Sequence, residues 1–132
     1  MSEQYSILKT KQLAYGLAEL RSDGILTFEP NENTEIYSLE QLKEMLLVFK
    51  ELTNGIPHLY YSNNNNLVGR FGSKEKVFMS EHFHEFATAF AMTEKSALTR
   101  FVTHSFIYLN KPKVPIKMFK TKATAIEWLK SL

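Results

Sequence analysis

The chain has 132 residues, 44% hydrophobic and 13% aromatic, with 16 basic and 14 acidic side chains and a net charge of +2. That length and apolar content suit one domain over residues 1–132, with a core that needs no disulfide or metal to hold it. Cysteine is absent, which excludes thiol nucleophiles, thiolate metal sites and disulfide frameworks and fits a reducing compartment.

Residues 4–10 read as a first strand, and the partial alternation of Leu13, Tyr15 and Leu17 makes 13–20 a second. Asp23-Gly24 is a hairpin signal leading into a third strand at 25–28, which Pro30 and the polar run Asn31-Glu32-Asn33 bring to an end. Ile36 and Tyr37 form a short extension before the first helix. Ser38 with Gln41 fits a capping box, in which hydroxyl and amide each satisfy an orphan backbone donor. Leu39, Leu42, Met45, Leu46, Phe49 and Leu52 then recur at helical spacing as an apolar stripe, closed by Asn54-Gly55.

The next strand is 57–62. Four asparagines, Asn63, Asn64, Asn65 and Asn66, make a loop because asparagine tolerates left-handed backbone and bonds its own chain. Gly69 and Gly72 prolong that loop. Ser73 is placed as the cap of a helix running to about His84, with Val77, Phe78 or Met79, and Phe83 facing inward. A strand at 87–92, a helix at 93–109, a Pro-marked loop, a strand at 116–119 and a final helix complete the chain. Ala125, Ile126, Trp128, Leu129 and Leu132 dock that last helix. With Trp128 in the core, truncating it to alanine is expected to cost about 3–5 kcal/mol. The fold class is α/β in the order β-β-β-α-β-α-β-α-β-α: a mixed sheet whose early strands are hairpin-linked and whose later strands are joined by about four helices.

Four segments carry a family resemblance: Ala-Thr-Ala-Phe-Ala-Met at 87–92, Leu-Thr-Arg-Phe-Val at 98–102, Leu-Asn-Lys-Pro-Lys-Val-Pro-Ile-Lys-Met-Phe at 109–119, and Ala-Ile-Glu-Trp-Leu-Lys at 125–130. Together they resemble the SpoIIAA-like branch of the STAS fold, small bacterial proteins akin to anti-sigma-factor antagonists and SEC14-type lipid-binding domains. The resemblance implies a non-enzymatic, regulatory role through contact with a protein partner, made by the loop from Ser62 to Ser73 and the helix that follows. In partner-switching members a phosphorylated Ser or Thr follows a strand, usually after an Asp. Here that place falls at Ser62 and Asn63, with Asn64 behind, and no Asp-Ser pair is present. Ser73 is the second candidate acceptor, at a helix N-terminus that favours a phosphate. The alternative that the resemblance implies is a small-molecule or lipid-binding module, its pocket between the sheet and helix 93–109 and lined by Tyr60, Tyr61, Phe90 and Phe101, with Phe86 and Phe106 as further aromatics. At strand and helix spacing such aromatics also serve as plain core.

Other clusters carry less chemistry. In Glu81-His82-Phe83-His84-Glu85 the pairs Glu81/His84 and His82/Glu85 share helix faces, but a metal site needs three or four ligands and no further partner is near in sequence. The segment reads as an exposed charged turn, and no metal or cofactor is expected. Thr99, Arg100, Thr103 and His104 form a polar helix face. Gly69-Arg70-Phe71-Gly72 lacks the ending of a phosphate loop, yet Arg70 has the forked donors to grip an anion. Lys111, Lys113, Lys117, Lys120 and Lys122 are spread over several elements and read as solvated surface, so no nucleic acid is expected as a partner. The N-terminus lacks the pattern of a signal peptide, and no apolar run approaches the ~20 residues of a membrane span. A cytoplasmic location is expected, and homodimerisation through an edge strand or helix face remains open.

Overall fold

A computed structural model describes residues 4–97, 99–100 and 113–132. Three antiparallel strands open the chain, β1 (Ile7–Leu13), β2 (Gly16–Arg21) and β3 (Ile25–Pro30). They are followed by β4 (Thr34–Glu35), α1 (Leu39–Leu52), β5 (His58–Asn63), β6 (Leu67–Val68), α2 (Ser73–His82), β7 (Ala87–Thr93), β8 (Ile116–Phe119) and α3 (Lys122–Lys130). The main sheet has the order β1-β2-β3-β5-β7-β8, in which the pairs β3–β5, β5–β7 and β7–β8 are parallel. Separately, β4 and β6 pair in parallel as a two-stranded ribbon.

The in–out alternation of the strands divides the core between the two sheet faces. Leu26, Phe28, Tyr60, Phe90 and Met92 pack on one side against Leu42, Met45, Val48, Phe49 and Leu52 of α1. Ile25, Tyr61, Ala89 and Ala91 face the other side, where Ala125, Ile126 and Leu129 of α3 meet them. The two alanines of β7 leave room for α3 to lie close to the sheet. On the first face Phe49, Tyr60, Phe86 and Phe90 form a ring cluster with centroids 4.8–5.2 Å apart.

Helix α1 starts and stops for the local reasons expected. The Ser38 hydroxyl accepts from the Gln41 amide at 3.1 Å, and the Gln41 side-chain oxygen accepts from the Ser38 amide at 3.0 Å. At the other end Asn54 and Gly55 have φ of 54° and 75°, and the Gly55 amide donates to the Lys50 carbonyl. Val48 joins the buried stripe, while Leu39 and Leu46 are half-buried.

Several expectations need correction. The first hairpin lies three residues later than its pattern suggests, with its turn at Ala14 and Tyr15. All of β1 except Leu13 is exposed, so it carries no buried alternation to set its limits. Gly16 marks the true boundary, because a Cβ there would stand 2.6 Å from the Phe28 ring and 2.7 Å from the Glu29 carbonyl oxygen. The short extension is Thr34–Glu35 rather than Ile36 and Tyr37; the backbone pairs with Leu67–Val68, and Tyr37 turns into the core. Gly72, not Ser73, is the N-cap of α2, which ends at His82 and passes into a single 3-10 turn, Phe83–Glu85. Val77 is 52% exposed, so the inward face of this region is Phe78, Met79 and Phe83.

Strand β7 extends through Thr93, so the helix expected from Thr93 does not begin there. The Ser96 hydroxyl accepts from the Thr99 amide at 3.1 Å, and its carbonyl accepts from the Arg100 amide. Most of 93–109, with Phe101, Thr103, His104 and Phe106, lies outside the described residues, as does Lys111. Trp128 is half-buried against Phe119, with ring centroids 5.7 Å apart, and Leu132 is 62% exposed. Neither is central to the core, because the face of α3 that meets the sheet is Ala125, Ile126 and Leu129.

Candidate functional site

A cavity of about 360 Å³ lies between the first sheet face and helices α1 and α2. Tyr60, Phe90, Ile116 and Met118 give it a floor, and Leu42, Met45 and Phe49 of α1 give it one wall. Phe78, Met79 and Phe83 close the opposite side. Lys76, Ser80 and His82 add polar groups from α2, while much of the polar lining, Ser62, Asn64, Arg70, Glu94, Ser96 and Thr99, lies at or just past the carboxyl ends of β5, β6 and β7. That end of a parallel sheet is where open α/β folds commonly place ligands.

The asparagine run builds this rim. Asn63 Oδ1 accepts from Thr93 Oγ1 and from the Asn65 amide, each at 3.1 Å, and the Thr93 hydroxyl lies 3.0 Å from Tyr61 Oη. Asn64 Oδ1 accepts from the Ser62 hydroxyl at 2.9 Å, and its amide points at Met92 Sδ. Asn65 Oδ1 accepts from the Lys95 amide, and Asn66 Nδ2 donates to the Pro30 carbonyl, both at 2.8 Å. Each of the four therefore has its own partner, and together they tie the ends of β3, β5 and β7. A repetitive sequence conceals four separate structural tasks.

Tyr37 borders the cavity and is 4% exposed. Its hydroxyl is buried and has no hydrogen-bond partner among the described residues. Burial pushes this phenol far above the ordinary tyrosine value, and the neighbouring Tyr60, Tyr15 and Glu29 push it further. Burial likewise raises Tyr60, against a smaller opposing effect of the Ser62 hydroxyl. On the far face, burial outweighs the Thr93 hydrogen bond and takes Tyr61 up to about 12. All three remain neutral near pH 7.

Of the residues expected to line a pocket, Tyr60 and Phe90 do so, with Phe86 beside them. Tyr61 does not, since it follows Tyr60 on a strand and so faces α3. Phe101 lies outside the described residues. The pocket itself is bounded by α1 and α2, and Glu94, Ser96 and Thr99 are the described residues of 93–109 that line it. Ser62 is 2% exposed and belongs to β5 rather than to a loop. Asn63 and Asn64 are half-buried, whereas Arg70 and Ser73 are exposed. Arg70 has no hydrogen-bond or ion-pair partner among the described residues. Tyr37, Met45, Phe71, Met79, Met92 and Met118 also contribute to the cavity; they come from separate elements, and no spacing joins them in the sequence.

The His/Glu segment resolves into one pair and two exposed residues. His82 Nδ1 contacts a Glu85 carboxylate oxygen, and Lys50 Nζ reaches the other at 3.0 Å. These two partners, His82 first, hold the Glu85 carboxyl below the usual range. Glu81 and His84 point to solvent. Among the described residues no group of three His, Asp or Glu is placed to hold a metal ion, and no helix is long and apolar enough to cross a membrane.

Comparison with known proteins agrees with this architecture. The model of a domain of unknown function, DUF7793, matches residues 19–132. The chain belongs to the DUF7793 family. It is also similar to the crystal structure of an uncharacterised protein from the DUF3478 family, with a SpoIIAA-like fold, from Shewanella loihica PV-4. The two share 17% identity and superpose with a TM-score of 0.59, covering 98% of each chain. This DUF7793 chain thus has a SpoIIAA-like fold. No curated protein matches it.

Proposed function

We propose that this chain is a non-enzymatic binding module that takes a small, largely apolar molecule into the cavity between its sheet and helices α1 and α2. The carrying observation is the cavity itself: about 360 Å³, walled mainly by aromatic and methionine side chains with a minority of polar groups. Small-molecule sites have that size and that pattern of apolar lining with a few polar groups. The methionines Met45, Met79, Met92 and Met118 suit an adaptable wall, since the unbranched thioether side chain refits itself to different shapes. A ligand that binds only the folded chain raises its melting temperature by mass action. Purified protein is melted with and without decanol, beside a Phe90→Trp variant that fills the cavity. A rise in the native protein that is absent in the variant supports the reading; no rise in either, with no small molecule released on denaturing the purified protein, overturns it.

The regulatory reading, with a protein partner at the loop before α2, has one specific observation in its favour. Val68 and Val77 are each 52% exposed on either side of the exposed stretch Gly69-Arg70. That loop also lines the cavity through Leu67, Arg70 and Phe71, so an occupant would touch the inner side of any surface it offers to a partner.

A further inference from the structure

We infer that the cavity selects an apolar chain bearing an anionic head group, and that Arg70 is the residue that holds the head. This deepens the proposed function and rests on it. Most of the lining is apolar; among the described residues its charged side chains are Arg70, Lys76 and Glu94, with His82 from the end of α2, and Arg70 and Glu94 stand just past the carboxyl ends of β6 and β7. Glu94 is already engaged, with Oε1 accepting from the Ser96 amide at 3.0 Å. The Arg100 guanidinium is turned to the Glu94 and Lys95 carbonyls at 2.8 and 3.2 Å. Arg70 stands apart from these arrangements, exposed and without a partner among the described residues. A guanidinium offers paired donors that match a carboxylate or phosphate, and such charge-assisted bonds are the strong ones.

A second observation points to an occupant. The Tyr37 hydroxyl is buried at the cavity wall with no partner among the described residues, and polar groups left in that state are rare in folded proteins. Volume bounds the tail. At the ~30 Å³ that a water molecule takes up in the liquid, about 360 Å³ accommodates roughly a dozen non-hydrogen atoms. That is the size of a ten-carbon chain with its head group.

Three probes of one chain length separate the possibilities: decanoate, decyl phosphate and decanol, each titrated below its aggregation concentration by calorimetry or melting shift. The native protein is expected to bind one or both anions about tenfold more tightly than decanol, the usual effect of one charge-assisted hydrogen bond. Arg70→Gln is expected to remove that preference without lowering the melting temperature of the free protein, because the side chain is exposed. Arg70→Lys is expected to restore part of it. Preference for decanoate over decyl phosphate, or the reverse, identifies the head group. Equal binding of all three probes by the native protein, or an anion preference that survives Arg70→Gln, overturns the inference and leaves the apolar cavity reading intact. Failure of every probe overturns that underlying reading instead.

Discussion

The Arg21 guanidinium clasps both carboxylate oxygens of Asp23, with Nε 3.0 Å from Oδ1 and Nη2 2.6 Å from Oδ2. Arg21 is 2% exposed, and its guanidinium carbon lies 3.5 Å from the centroid of the Tyr5 ring. Lys130 Nζ, near the end of α3, reaches the same carboxylate at 3.2 Å. A turn residue read from sequence only as half of a hairpin signal is thus the acceptor that secures a buried cation and fastens the last helix to the β2–β3 turn. Replacing Asp23 with Ala is expected to cost about 3 kcal/mol, the low end for removing one partner of a buried pair. Urea denaturation at pH 7 checks this; a loss below about 1 kcal/mol would mean that Arg21 is satisfied without Asp23.

The same contact has a pH signature. Burial raises the Asp23 carboxyl, but Arg21 and Lys130 outweigh it and leave it below the usual value. A carboxyl depressed by folding stabilises above its unfolded value of about 3.9 and loses that contribution as pH falls through the folded value. Glu85, held low by His82 and Lys50, acts in the same direction. Stability is therefore expected to fall below about pH 4, and Asp23→Asn is expected to flatten part of that fall. An unchanged acid limb in the variant would show that Asp23 titrates alike in both states.

Gly16 and Gly24 separate two reasons for glycine. At Gly16 an added Cβ would collide with Phe28 and with the Glu29 backbone. At Gly24, with φ of 84°, there is open space but a left-handed backbone. Gly16→Ala is expected to cost about 3 kcal/mol by overpacking against the Phe28 ring and the Glu29 carbonyl, and Gly24→Ala about 1 kcal/mol by strain. Chemical denaturation of the two variants side by side tests the ranking, and the reverse order would sink it.

On α3, the contrast between Leu129 and Trp128 replaces the cost expected for the tryptophan from sequence. Leu129 is 0% exposed in the second core cluster, whereas Trp128 is half-buried on Phe119. Leu129→Ala is expected to cost about 3 kcal/mol and Trp128→Ala about 1–2 kcal/mol, a partial burial. Tryptophan fluorescence should show a partly exposed indole in the native state. A blue-shifted, quencher-protected spectrum would contradict that placement.

Within the asparagine run the four positions are expected to differ. Asn63→Ala removes the acceptor of the Asn65 amide and one of the two partners of the Thr93 hydroxyl, which keeps Tyr61, and is expected to cost about 2 kcal/mol. Asn65→Ala frees one exposed backbone amide at Lys95 and is expected to cost under about 1 kcal/mol. Equal effects in a thermal melt would mean that the run acts only as a spacer.

The features legible in the sequence were those written within a few neighbouring residues. The capping box at Ser38 and Gln41, the stop at Asn54-Gly55 and the stripe along α1 each depend on contacts inside one turn or one helix face, so spacing reveals them. The order of strands and helices rests on the same local periodicities, and the resemblance to a SpoIIAA-like fold rests on the four segments quoted between Ala87 and Lys130. The limits of β1 are not legible because an exposed edge strand carries no apolar alternation, and local pattern does not separate Ser73 from the true cap, Gly72, one residue away.

Tertiary structure alone decided which of two adjacent tyrosines meets the cavity. Tyr60 and Tyr61 are the same residue type in the same strand, and only the placement of α1 on one face and α3 on the other sends the first into the cavity wall and the second into the opposite core. The cavity itself is assembled from α1, α2, β5, β7, β8 and the loop at Gly69-Arg70-Phe71. Its chemistry depends on distances between segments far apart in the chain, and such distances are set by helix packing on the sheet, which no local spacing encodes.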